Sequence, residues 1–163
     1  MNEDETTNEL NRPLSIKINE VRGDYVIAEI KLRFINDDDN VYLYDLEEKR
    51  IANFFIVEYF LSEASGVVAL KQNRRYLLKE TATLDGRDNT VYTVIEVKDG
   101  NVNFVGKIIV SKKSKRLFAC SQTLQSSLID YYIKNKPYTD DEEKPYFTIS
   151  DEQELAEALT SKQ

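Results

Sequence analysis

The side chains that could do chemistry in this 163-residue chain are defined first by what is missing: it has no histidine and one cysteine, Cys120. Histidine is the side chain used most often as a general base near neutral pH, and it is the commonest transition-metal ligand. Its absence excludes Ser-His-Asp and Cys-His nucleophilic sites and histidine-based zinc sites. One cysteine makes neither an intramolecular disulfide nor a cysteine metal cluster. Cys120 falls where a strand should give way to a helix, a place where a helix N-terminus can activate a thiol. With no histidine beside it, the residue reads as a small buried hydrophobe. Phosphate-cradling GxxxxGKS/T and GxGxxG loops and the GxSxG nucleophile elbow are absent as well. Paired carboxylates could still hydrolyse glycosides, but that chemistry needs two acids placed across a cleft rather than at a sequence spacing, and no pair is singled out.

What is left to work with is charge. Residues 71–116 carry eleven basic side chains against five acidic ones, a balance of +6, so the rest of the chain carries −13. A molecule with a basic middle and acidic ends can present two faces to partners, or its acidic termini can fold back over the basic sheet. Arg74, Arg75, Lys112, Lys113, Lys115 and Arg116 are the candidate cations for engaging a partner, and Asp140, Asp141, Glu142 and Glu143 the candidate anions. Lys112-Lys113-Ser114-Lys115-Arg116 has the composition of a short phosphate-holding patch for RNA, DNA or lipid. The same spacing suits a hairpin tip, where lysines keep a turn soluble and discourage edge pairing. Tyr76 and Tyr92 lie near basic residues, as stacking on single strands requires, yet tyrosine is also what strands prefer for packing. The acidic run 140–143 reads either as a linker or as a docking segment for a basic partner. Asp37-Asp38-Asp39 offers oxygens to a hard cation, but Val41 and Tyr42 stand where an EF-hand loop would want further ligands and glycine. Arg22-Gly23-Asp24 is explained by turn chemistry.

The elements that must position these residues follow from apolar periodicity. Residues 1–12 lack it and are acidic, which predicts a disordered tail. Leu14, Ile16 and Ile18 alternate with polar residues, as do Val26, Ala28, Ile30, Leu32 and Phe34, so two half-buried strands should flank a turn at Gly23. Asp45 and Glu48 have capping-box spacing, and the run after them predicts a helix over 46–63, apolar on most sides and stopped by Gly66. From Tyr76 to Cys120, four strand-like runs are separated by Asp85-Gly86, Asp99-Gly100 and Lys112 to Lys115, which predicts a meander. In it, Thr93, Ile95 and Val97 share one face, as do Val102, Phe104, Ile108 and Val110. A second helix should start at Ser121, bury Leu124, Leu128, Tyr131 and Tyr132, and stop at Pro137. Ser150 with Gln153 should open a short third helix.

The predicted class is α+β: an antiparallel sheet, built from the N-terminal hairpin and the four-strand meander, curved around a long helix, with two C-terminal helices. The chain divides into a tail over 1–12, one domain over 13–136, and an acidic linker with a short helix over 137–163. This order resembles that of the cystatin-like and NTF2-like folds, the profilin-like longin fold and the helix-grip fold, which wrap a sheet around a helix. Such folds host enzymes, ligand carriers and protein-binding modules alike, so the resemblance implies an architecture and no activity.

Composition sets the remaining bounds. With 41% hydrophobic and 31% charged residues, a net charge of −7 and only eight Gly or Pro, the chain has the make-up of an ordinary soluble domain with long regular elements. The polar acidic start is the reverse of a signal peptide, and the most apolar stretch, 51–61, is too short for a membrane span, so a cytoplasmic protein is expected. These observations point to a non-catalytic protein-binding module, an adaptor, inhibitor, chaperone or immunity-type protein, that engages another protein by charge complementarity. The alternatives are a small-ligand or catalytic pocket between helix and sheet, and nucleic-acid binding through the 71–116 region. No cofactor and no metal are expected.

Overall fold

Alternating apolar residues and tight left-handed turns account for most of the architecture in the computed structural model, which describes residues 5–32, 42–52, 55–60, 63–135 and 147–160. In chain order the elements are α1 (Glu5–Asn11), β1 (Ser15–Arg22), β2 (Tyr25–Leu32), β3 (Tyr42–Asp45), β4 (Arg50–Ala52), β5 (Phe55–Phe60), β6 (Glu63–Lys71), β7 (Arg74–Leu84), β8 (Arg87–Lys98), β9 (Asn101–Ser111), β10 (Leu117–Cys120), α2 (Gln122–Asn135) and α3 (Glu152–Thr160). The class is α+β with antiparallel sheets and two C-terminal helices. The expected hairpin is β1–β2 and the expected meander is β7–β10, each strand paired to the next. Asp85-Gly86 and Asp99-Gly100 have φ of 51° and 76°, and of 54° and 76°. Positive φ at both residues is what a two-residue turn needs to match the twist of its strands, and Asp-Gly supplies it with little strain.

The helix expected over 46–63 is not formed. Residues 46–49 are a turn, and β4 and β5 follow it. The Asp45 and Glu48 spacing does make the bonds of a helix start, since Asp45 Oδ1 accepts from the backbone N–H groups of Glu47 and Glu48 at 2.9 and 3.0 Å. Lys49 N–H then reaches Asp45 O at 2.7 Å. At Lys49, however, φ is 57°, a left-handed conformation that ends the turn after one round and sends the chain back as β4. The residues beyond it, Ile51, Phe54, Phe55, Ile56, Val57, Tyr59 and Phe60, are β-branched or aromatic and favour strands. A short run that is apolar on every side does not distinguish a strand from a buried helix by its period. Gly66, expected to end the helix, lies inside β6 opposite Ile30 and Ile56.

With strands in place of the helix, one sheet becomes two. The hairpin joins β6 and β5 in the order β1-β2-β6-β5, and the meander joins β3 and β4 in the order β10-β9-β8-β7-β3-β4. The sheets face each other across Val26, Ala28, Ile30, Leu32, Val68 and Leu70 on one side and Leu43, Tyr76, Leu78, Ile95 and Val97 on the other. The opposite face of the six-stranded sheet carries Tyr44, Leu77, Tyr92, Val94, Ile108 and Val110, and α2 and α3 cover it with Leu124, Leu128, Tyr132, Leu155, Ala156, Ala158 and Leu159. The β9 face pattern is corrected by a register shift between Val94 and Ile95, which skips Val105 on β9. A bulge of this kind breaks the two-residue period, so Val102 joins the core between the sheets while Ile108 and Val110 join the core under the helices.

The helix starts differ from expectation in detail. Ser121 precedes α2, but its Oγ accepts from Lys107 N–H at 2.8 Å and so ties the helix to β9. The box that opens α3 sits one residue later than predicted, with Asp151 Oδ1 accepting from Glu154 N–H at 2.9 Å. Residues 5–11, expected to belong to a disordered tail, form α1. It docks because Leu10 packs against Ala82, Leu84, Val91, Ile109 and Ala119, beyond the end of the four-stranded sheet. The Asp37–Asp39 run lies outside the described residues.

Candidate functional site

A meander places alternate turns at the same end of its sheet, so Asp85-Gly86 and the 112–115 turn are neighbours. Lys112 N–H donates to Asp88 O at 3.1 Å, and Asn89 pairs with Ser111. Around this junction lies an open concavity of about 610 Å³ lined by Arg87, Asp88, Ser111, Lys112 and Lys113. Asp88 is oriented by Thr83, whose hydroxyl donates to Oδ1 at 2.9 Å. The register shift in β10 falls at Phe118, which is 41% exposed. The Arg87 guanidinium lies 4.3 Å from the centroid of its ring, a cation–π contact at an exposed site. Lys115 and Arg116 complete the group: Ile149 N–H donates to Lys115 O at 2.8 Å, and Arg116 bridges to Thr148. Two turns thus bring five cations to one end of the six-stranded sheet.

The other predicted cations are elsewhere. Arg74 and Arg75 open β7, whose eleven residues span roughly 35 Å, so they sit at the opposite end from Lys112. Both are engaged in the structure. Arg74 donates to Asp45 Oδ2 at 2.8 Å and Glu48 Oε2 at 2.9 Å, and Arg75 donates to Leu159 O at the end of α3 at 2.9 Å. Lys79 pairs with Glu152 at 3.1 Å and Lys107 with Glu9 at 2.8 Å. The basic stretch 71–116 is therefore not one surface. Asp140, Asp141, Glu142 and Glu143 lie outside the described residues. Sequence reasoning missed Arg87 and Phe118 as site residues, although the meander itself signals that Arg87, directly after the Asp-Gly turn, should stand beside Lys112.

At the Arg74 end lies a second opening of about 500 Å³, lined by residues of both sheets, Tyr25, Asp45, Glu48, Arg50, Lys71 and Tyr76 among them. Glu48 is not poised for acid catalysis. The hydrogen bond from Arg74, and then the charge of Arg50, holds Glu48 below the usual carboxylate range, whereas a general acid at neutral pH needs a raised one. The alternative reading of a ligand pocket set it between a helix and the sheet; between the two sheets, the space is filled by side chains such as Leu43, Leu70, Leu78 and Ile95, each 0% exposed.

Two further groups resemble reactive clusters but serve the fold. Cys120 is half-buried, and desolvation pushes its thiol up to about 12, so it is protonated and inert at neutral pH. Glu152, at the first turn of α3, accepts from Tyr92 Oη at 3.3 Å as well as from Lys79. Burial alone would raise its pKa, but hydrogen bonds from Tyr42, its own backbone N–H and Lys79 outweigh burial and leave it below the 4.5 of an unperturbed glutamate. A depressed folded-state pKa contributes stability that is complete above the unfolded value and is lost as pH falls through the folded one. Thermal stability should therefore begin to fall below about pH 4.5, and Glu152→Gln should flatten that part of a Tm-against-pH profile. An unchanged profile in the variant would show that Glu152 does not anchor α3.

Among the described residues no group of three His, Cys, Asp or Glu side chains could hold a metal ion, and no helix is long and apolar enough to cross a membrane. No family model matches the chain, and no curated protein or solved structure is significantly similar to it.

Proposed function

We propose that this chain is a non-catalytic, cytoplasmic protein-binding module that captures an acidic segment of another protein at the basic end of its six-stranded sheet. The observation that carries the reading is the convergence of Arg87, Lys112, Lys113, Lys115 and Arg116 on two neighbouring turns, with Arg87 laid over the exposed ring of Phe118. In a chain of net charge −7, a local basic end orients an acidic partner and repels it elsewhere, which accelerates encounter more than it adds affinity. An exposed aromatic ring among cations also suits a stacked nucleotide base, so nucleic acid is the second reading. Affinity capture from the native source, with nuclease and at two salt concentrations, tests both. The expected result is a stoichiometric, nuclease-resistant protein whose retention falls at least about tenfold in an Arg87→Glu, Lys112→Glu, Lys113→Glu variant of unchanged Tm. Capture unaffected by the reversal overturns the proposal, and recovery of nuclease-sensitive nucleic acid replaces it with the second reading.

A further inference from the structure

Seven residues do not hold a helix in water on their own, so α1 is ordered by the surface beneath it. That surface is built by β7–β10, which pair with one another independently of α1. Thr6, Glu9 and Leu10 form the face that meets it, at the i, i+3, i+4 spacing of one helix side. Leu10 enters the apolar patch of Leu84, Val91 and Ile109. Glu9 Oε2 accepts from Lys107 Nζ at 2.8 Å, with both side chains 3% exposed. Thr6 donates to Asp85 Oδ2 from its backbone N–H at 3.2 Å and from its hydroxyl at 2.6 Å, and Asp85 N–H donates to Glu5 at 2.6 Å. The charge of this lysine, buried beneath α1, is faced by the carboxylate that α1 brings. Three buried side-chain oxygens without a hydrogen-bond partner among the described residues, Asp85 Oδ1, Asn89 Oδ1 and Thr93 Oγ1, belong to β8 and the turn that opens it. Buried polar atoms are normally satisfied, so α1 fits this seat without completing it. The seat also adjoins the basic end, because Arg87 follows Asp85 by two residues and stacks on Phe118 of β10.

We propose that the groove over β7–β10 is a docking site for acidic amphipathic helices, that α1 is its resident occupant, and that a partner binds by displacing α1 and offering its own glutamate to Lys107 and a leucine to the patch beside it. This deepens the binding-module reading and rests on it: the basic end attracts the acidic segment and the groove reads it. A tethered occupant acts at an effective concentration in the millimolar range, so a free helix competes poorly until α1 loosens.

The test is a fluorescence-anisotropy titration of a labelled peptide with the sequence of residues 1–12 against the full chain and against a full-length Glu9→Gln, Leu10→Ala variant that lacks both anchors. The peptide should bind the variant at least about tenfold more tightly than the wild-type chain. A peptide carrying Glu9→Gln should bind that same variant at least about tenfold more weakly than the native peptide. No binding to the variant, or equal binding of both peptides, overturns the proposal. Hydrogen exchange on the wild-type chain is a second arm that needs no variant. The α1 amides should exchange well before those of β8 and β9 and faster still with excess peptide; α1 exchange only at the rate of global unfolding overturns displacement. If the peptide fails while capture at Lys112 and Lys113 persists, displacement alone falls; if both fail, the binding-module reading falls with it.

Discussion

Glu9→Ala is expected to lower the free energy of unfolding by about 3 kcal/mol, while Glu9→Leu combined with Lys107→Met should recover most of that loss. Both charges of the pair are almost fully out of water, 2.8 Å apart. Two ions in that position draw little net stability from their attraction, because desolvation offsets it, but deleting one leaves the other buried without the charge that faced it. The loss is bounded by an escape route. If α1 lifts away, Lys107 regains water at the cost of exposing Leu10 and the patch formed by Ala82, Leu84, Val91 and Ile109, which places the effect at the lower end of the range for broken buried pairs. The double replacement removes both ions and leaves apolar groups of similar volume against that patch. Urea unfolding monitored by circular dichroism gives the three free energies. A Glu9→Ala value within about 0.5 kcal/mol of wild type would mean that Lys107 is not buried under α1.

Gly106→Val should be equally damaging, about 3 kcal/mol, and should depress Tm by roughly 10 °C. The first turn of α2 lies directly on β9 at this glycine: a Cβ there would stand 2.8 Å from Thr123 Oγ1, 2.9 Å from Ser121 Cβ and 3.0 Å from Leu124 Cδ1. None of these can give way cheaply. Ser121 is tied to Lys107 through its own N–H at 2.9 Å and through its Oγ at 2.8 Å, and the Thr123 hydroxyl donates to Val105 O at 2.8 Å. Making room means pulling α2 off the sheet and breaking bonds worth about 1 kcal/mol each. Gly106→Ala should shift Tm in the same direction by a smaller amount. A valine variant that melts within about 2 °C of wild type would show that α2 does not sit on β9 at this point.

The candidate site was partly legible. Lys112, Lys113, Lys115 and Arg116 are adjacent in sequence, and a turn between two alternating runs exposes them whatever the rest of the fold does. Arg74, Arg75, Lys79 and Lys107 look the same in sequence. Their roles were decided by acceptors far along the chain, with Leu159 and Arg75 84 residues apart and Glu9 and Lys107 98 apart. Charge density along a sequence therefore overstated the basic surface, because it counts cations that the fold has already engaged.

The sequence by itself determined the strands of the hairpin and meander, the Asp-Gly turns, the buried face of α2, and the exclusion of histidine-based chemistry. Each of these rests on local causes: alternation against water, φ preferences within two residues, or side-chain type. Only the tertiary structure decided that the described residues of 46–63 would be turn and strand, that six strands and four strands would form separate sheets, and that α1 would be ordered. Those outcomes depend on pairings such as Tyr44 with Leu77, Phe55 with Val67 and Glu9 with Lys107. The apolar run 51–61 does not choose between helix and strand by its period, and it is the backbone hydrogen bonds offered by β3 to β4 and by β6 to β5 that hold its described residues extended. A local pattern contains no information about where those bonds come from.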